Sequence, residues 1–293
     1  MNSTMEKKFT FKLAAASLVT FGAFILQEVP AIAGAATDWV QANHAASRLV
    51  IDTATWGKRK PSLVAGIHVT LDEGWKTYWR NPGDAGLPPN FDWSRSTNLK
   101  SAKVLWPAPV RFHDSAGTSY GYKKEVVFPV LVEPVNPGKP VELKLSMEYA
   151  VCADICIPVE AKLEVISGKS GFFSRSHTSL LEDYLGRVPV KIVPGSQGGI
   201  GIENAKAKLT GKKPVLIFDA RFPKNHSNSD LFVEGPVGHY LPPTKRISRQ
   251  GNGAVRYQID LTKGDDPKGL EGQSLTLTLV SDKGQAELDW RVK

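Results

Sequence analysis

The sequence predicts an all-β protein built as two β-sandwich domains joined by a short linker, and three observations carry that prediction. Segments of strict apolar–polar alternation recur along the chain, clusters of turn-forming residues separate them, and 26 Gly and 20 Pro among 293 residues would interrupt most helices. Alternation with period two marks a strand with one face buried and the other in water. Several short strands divided by turns favour a sandwich over a doubly wound α/β fold.

The first 35 residues read as a signal peptide rather than as part of the fold. Lys7, Lys8 and Lys12 precede an apolar run from Leu13 to Leu26, and small residues at Ala31, Ala33 and Ala35 place cleavage near residue 33 or 35. The run spans roughly 14 residues, where a membrane-spanning helix needs about 20. The mature chain is therefore expected to be soluble and exported. Strands are expected over 61–71 and 126–132, and the pattern is clearest from Val141, where Val141, Leu143, Leu145, Met147 and Tyr149 share one face. After Cys156 the alternation resumes with Ile157, Val159, Ala161, Leu163 and Val165. It breaks at Gly168–Gly171, which reads as a linker. A short helix is expected over 176–187, with Leu180, Leu181, Tyr184 and Leu185 on one side and Pro189 barring its extension. Further strands are expected over 215–220, 254–261 and 274–280, with a last one ending near Val292. The expected organisation is residues 37–168, a linker over 169–189, and residues 190–293.

The two cysteines, Cys152 and Cys156, are the only ones in the chain and lie in the connection between two of these strands. A disulfide closing about five residues contributes roughly 2 kcal/mol by loop entropy, little for a staple. A pair that close can instead switch between dithiol and disulfide without refolding. Redox exchange is thus the first functional hypothesis, and Asp154 between the cysteines has two readings. Its carboxylate would disfavour a neighbouring thiolate, or it caps its own turn.

Charge and motifs exclude other classes. The formal charge of +8 falls only to +7 after cleavage, with the charges scattered and no Lys/Arg-dense block, so nucleic acid is not an expected partner. No Gly-x-Ser-x-Gly elbow, His-Glu-x-x-His helix or phosphate-binding glycine loop is present, and no cofactor is expected. In the second domain, Phe232–Pro243 is a turn-rich stretch containing His239 and Tyr240. No chemistry follows from its residues alone.

Two motifs carry a family resemblance. Tyr149-Ala-Val-Cys-Ala-Asp-Ile-Cys-Ile-Pro-Val-Glu160 resembles the redox loop in the N-terminal periplasmic domain of DsbD-type thiol:disulfide interchange proteins, nearest the ScsB-like branch. Gly74-Trp-Lys-Thr-Tyr-Trp-Arg-Asn-Pro-Gly-Asp-Ala-Gly-Leu-Pro-Pro89 is similar to the same branch. The resemblance implies immunoglobulin-like sandwiches and an activity of the protein-disulfide reductase type. Electrons would pass from a membrane thiol reductase to periplasmic thioredoxin-like or other disulfide-bearing clients. It implies that Cys156 forms the mixed disulfide and Cys152 resolves it. It also implies an aromatic cap over the pair, from Phe112, Tyr120 or Tyr122, in a loop that Gly117 and Gly121 let move; an ordinary hairpin is the other reading. Tyr78 and Trp79 would line the site or belong to the core. The cysteine spacing is shorter than in the best-known members, whose chains continue into a membrane domain and a thioredoxin-like domain. Here the sequence ends at Lys293 with neither, so donor and acceptor are expected on other polypeptides.

Two alternatives use the same cysteines. Soft sulfur ligands suit Cu(I), with His113 or His68 supplying a nitrogen, as in Sco-type copper proteins, although those carry the pair ahead of a helix. The other alternative is a binding module whose short disulfide pins a turn.

Overall fold

The computed structural model describes residues 35–56, 60, 62–115, 117–168, 177–196 and 199–293. Apart from Ala35, the expected signal peptide lies outside the described residues, as do the linker residues 169–176. The first part of the chain contributes β1 (Ala35–Ala36), β2 (Val40–Ala42), β3 (Ala45–Ala54), β4 (Ser62–Leu71), β5 (Lys76–Gly83), β6 (Asn90–Asp92), β7 (Leu99–Val104), β8 (Val110–Asp114), β9 (Gly117–Lys123), β10 (Glu125–Pro134), β11 (Glu142–Cys152) and β12 (Cys156–Ile166). These make two six-stranded sheets, β1-β3-β4-β10-β7 with β2 beside β3, and β12-β11-β5-β9-β8 with β6 beside β11. Helix α1 (Thr178–Leu185) follows. Then come β13 (Val190–Lys191), β14 (Gly201–Lys208), β15 (Val215–Arg221), β16 (Asp230–Glu234), β17 (Lys245–Arg249), β18 (Val255–Asp260), β19 (Ser274–Ser281) and β20 (Gly284–Arg291). They form two four-stranded sheets, β13-β20-β19-β16 and β14-β15-β18-β17. The protein is all-β, with sandwich-like layers and one short helix between the two sets of sheets. No helix among the described residues is long and apolar enough to cross a membrane.

The alternation read from the sequence sets the first core. Leu143, Leu145, Met147 and Tyr149 of β11 and Val159, Ala161, Leu163 and Val165 of β12 are buried against Ile51, Ile67, Phe128 and Val130 of the facing sheet. Strand β3 shows no alternation because both of its faces are covered: Leu49, Val50 and Ile51 are all buried. Part of that cover is α1. Leu181, Tyr184 and Leu185, at i, i+3 and i+4, sink into the first core, and a Cβ on Gly66 of β4 would stand 2.7 Å from Leu181 Cδ2. Asp52 holds the start of the helix, accepting from the His177 amide (2.8 Å) and the Thr178 hydroxyl (3.1 Å).

The two sets of sheets dock through partly buried ions and one aromatic plug. Phe232 of β16 packs its ring edge-on to Trp79 (5.8 Å) and Tyr120 (4.9 Å), inside the first core. Arg80 donates to both oxygens of Glu234 and to Glu287. Arg111 forms a fork on Asp230, with both bonds at 2.8 Å, and donates to Thr244 Oγ1 and the Leu231 carbonyl. The neighbouring carboxylates hold the Arg80 guanidinium above its ordinary range against the opposing effect of burial. Removing one partner of such a pair leaves an uncompensated buried charge. Arg80→Ala is therefore expected to cost about 3 kcal/mol in urea denaturation, with the double variant Glu234→Gln, Glu287→Gln in the Arg80→Ala background recovering part of that loss.

Candidate functional site

Strands β11 and β12 pair in unbroken antiparallel register from Glu142↔Ile166 to Cys152↔Cys156. The last pair before the tip is thus the two cysteines, face to face with a Cα separation of 4.1 Å and joined as a disulfide. Ala153, Asp154 and Ile155 form the exposed tip, closed by the Ala153 amide donating to the Ile155 carbonyl at 3.0 Å. The pair is unequal in access. Cys152 is 1% exposed, whereas Cys156 is an exposed residue.

Strand β5 builds the other wall. Lys76 pairs with Cys152, and the Thr77 hydroxyl donates to the Ala150 carbonyl at 2.9 Å. Side chains alternate along a strand, so Lys76 and Tyr78 lie on the disulfide's face while Thr77 and Trp79 face the core. Tyr78, Ala150 and Cys152 form a small buried cluster of their own. The Tyr78 hydroxyl lies 3.6 Å from Cys156 Sγ, and because a disulfide sulfur carries no proton, the hydroxyl is the donor. Burial, reinforced by Asp114, pushes the Tyr78 phenol up, which keeps that proton in place. Lys76 is ion-paired with Asp114. Phe112 on β8 lies beneath the ammonium groups of Lys76 (5.6 Å) and Lys123 (4.8 Å), on the same face.

The expected cap is corrected in part. Tyr120, Tyr122 and Trp79 lie in the main core, on the opposite face of the sheet from the disulfide. Parity decides this: Tyr122 pairs with Thr77, and Gly121, not a tyrosine, stands opposite Tyr78. Residues 112–114 and 117–122 belong to the paired strands β8 and β9 rather than to a loop. A Cβ on Gly121 would meet the Thr77 carbonyl oxygen at 1.9 Å, and one on Gly117 would meet the Asp84 carboxylate at 2.9 Å, so these glycines permit close approach. What covers Tyr78 is the turn after β5. Gly86 has φ +127°, and a Cβ there would stand 2.2 Å from the Tyr78 ring, so the backbone lies directly on the ring. The composition of Gly83-Asp-Ala-Gly86 is the signal that would have found it. Lys76, Asp84, Asp114 and Gly86 were not among the expected site residues.

The candidate nitrogen ligands are elsewhere engaged. His113 Nδ1 lies 3.1 Å from Thr118 Oγ1. His68 Nδ1 accepts from Arg48 Nε (3.2 Å), so its Nε2 donates to Glu125 (2.8 Å), and burial holds the ring below its ordinary pKa. Among the described residues no three His, Cys, Asp or Glu side chains converge as a metal site.

Residues 53–167 match the family model of the N-terminal domain of thiol:disulfide interchange protein DsbD. This stretch is a DsbD-type N-terminal domain. It contains the cysteine hairpin, β5 with its following turn, and the β8/β9 hairpin. Residues 187–293 match a domain of unknown function, DUF8393. The whole fold is similar to the crystal structure of the N-terminal periplasmic domain of ScsB from Proteus mirabilis, with 20% identity and a TM-score of 0.68. That match covers 88% of this chain and 98% of the other. A comparison with curated proteins returns no match.

In this DsbD-type domain, Gly86→Ala is expected to cost about 2 kcal/mol through overpacking and backbone strain. Chemical denaturation checks the loss, and hydrogen exchange checks that added mobility is confined to residues 84–89 and Tyr78.

Proposed function

We propose that the protein is a periplasmic thiol:disulfide interchange protein, passing two electrons through Cys152 and Cys156 from a membrane thiol reductase to thioredoxin-like or other disulfide-bearing clients. The observation that carries this reading is the unequal access of the pair. An incoming thiolate must approach a sulfur in line with the S–S bond, and Cys156 is the sulfur within reach. Cys152, 1% exposed, serves as leaving group and resolving thiol. The family match supports the chemistry, and the likeness to a periplasmic domain supports the compartment.

In the direction of client reduction, the Cys156 thiolate attacks a client disulfide. A mixed disulfide forms and one client thiolate leaves. The Cys152 thiolate then attacks Cys156 Sγ and expels the second client thiolate. Two electrons and two protons have passed to the client, and the Cys152–Cys156 disulfide remains. A donor dithiol reverses the sequence, attacking Cys156 Sγ first and expelling Cys152. Tyr78 assists both halves by donating to the Cys156 sulfur, a bond that strengthens when that sulfur becomes a thiolate. Phe112, Lys76 and Asp114 shape the face on which a partner lands. Asp154, exposed at the tip, disfavours a thiolate beside it until a partner changes its surroundings.

Replacing Cys152 with Ala in the producing cell should leave a mixed disulfide stranded on Cys156, visible as a reductant-sensitive adduct on non-reducing gels and identified by mass spectrometry. Cys156→Ala should give none. No adduct, together with a wild-type pair that stays oxidised in strong reductant, would sink the relay.

A further inference from the structure

A connection of the second set of sheets reaches the turn beside the redox pair. Tyr240 lies in the turn-rich stretch between β16 and β17, 43% exposed, with its amide donating to Asp265 at 2.7 Å. Its hydroxyl donates to Asp84 Oδ1 at 2.5 Å. The other carboxylate oxygen of Asp84 accepts from the Thr118 amide at 2.8 Å, and the Asp84 amide donates to the Thr118 carbonyl at 2.8 Å. Asp84 is thus held from three directions at the mouth of the turn whose Gly86 lies on the Tyr78 ring. Burial and the bond to Asp84 push the Tyr240 phenol up, so it remains a donor.

We propose that Tyr240 is a positioning residue for the redox pair: through Asp84 it pins residues 84–86 against Tyr78 and so fixes the hydroxyl that bonds Cys156 Sγ. This rests on the thiol exchange reading above and gives the second set of sheets a function at the site. The chain of contact is short and continuous: Tyr240, Asp84, Gly86, Tyr78, Cys156. No other hydrogen bond from residues 190–293 to the 83–89 turn occurs among the described residues. The charged and titratable groups on the face of the pair are Lys76 and Tyr78 from β5, Asp114 from β8, Lys123 from β9, and Asp154 at the tip. Tyr240 touches none of these, so its influence passes through the turn.

The test compares the full chain with Tyr240→Phe, which keeps the ring and deletes only the donor. One measurement is the thiol–disulfide equilibrium against glutathione at pH 7. The other is the rate at which iodoacetamide alkylates Cys156 in a Cys152→Ala background. Loosening Tyr78 weakens the bond to the thiolate and so disfavours the reduced form. The equilibrium should move at least twofold towards the disulfide, and alkylation should slow at least twofold. Tyr257→Phe is the control, since it deletes a buried hydroxyl that donates to the Ser229 carbonyl, away from Asp84. It should leave both readouts at wild-type values. Wild-type values in Tyr240→Phe, or equal changes in Tyr257→Phe, overturn the proposal. Failure of the relay has a different mark: a wild-type pair that does not exchange with glutathione.

Discussion

The site depends on the register of one hairpin. Side chains on a strand alternate with a period of two residues, so a one-residue slip between β11 and β12 would transfer every core residue to solvent. Leu143, Leu145, Met147, Val159, Leu163 and Val165 all oppose that slip, because each would leave a buried position. The same residues therefore place Cys152 opposite Cys156 at the far end of the ladder. The redox pair inherits its alignment from packing many residues away, and its short loop does not have to supply rigidity of its own.

That alignment also produces the difference between the two sulfurs. Along most of β11 the outer face is polar and half-open, with Lys144 and Ser146 between buried neighbours. From Tyr149 to Cys152 the alternation stops and four consecutive residues are buried, Tyr149 and Val151 in the core and Ala150 and Cys152 against Tyr78 from β5. Cys156 sits one strand further from β5, towards the sheet edge, and stays accessible. One aromatic ring thus buries one sulfur and offers a hydrogen bond to the other. Its own position is set by the backbone at Gly86, where no side chain would fit.

The docking of the second set of sheets uses a costly kind of contact. Two guanidinium groups and three carboxylates leave water at the interface, and their attraction offsets that desolvation only when geometry is good and every donor is used. Arg111 meets this condition with all three of its nitrogens bonded, and Arg80 spreads Nε and Nη2 over two carboxylates. Such pairs fix orientation more strictly than an apolar patch of equal area, because a small rotation unpairs a charge. Phe232, seated among Trp79 and Tyr120, adds the apolar contact that centres them. A rigid junction is what allows a single hydroxyl at Tyr240 to bear on a turn of the other layer.

The sequence by itself determined the elements with one wet face. The alternating strands at 142–152 and 156–166, the cysteines between them and the i, i+3, i+4 stripe of α1 were legible because each pattern is local. Strand β3 was not legible, since burial on both faces erases alternation. The cap was misread for a related reason: Phe112, Tyr120 and Tyr122 are close in sequence, but only the pairing partner of each shows which face it takes. Phe112 and Tyr78 share the cysteines' face, while Tyr120, Tyr122 and Trp79 do not. Tyr240 and Asp84 are farther apart still: each lies in a stretch whose composition marks a turn, but nothing local pairs the two. Local periodicity encodes which residues are buried; which buried groups meet is decided by non-local register and by the docking of separate sheets, and only the tertiary structure contains those.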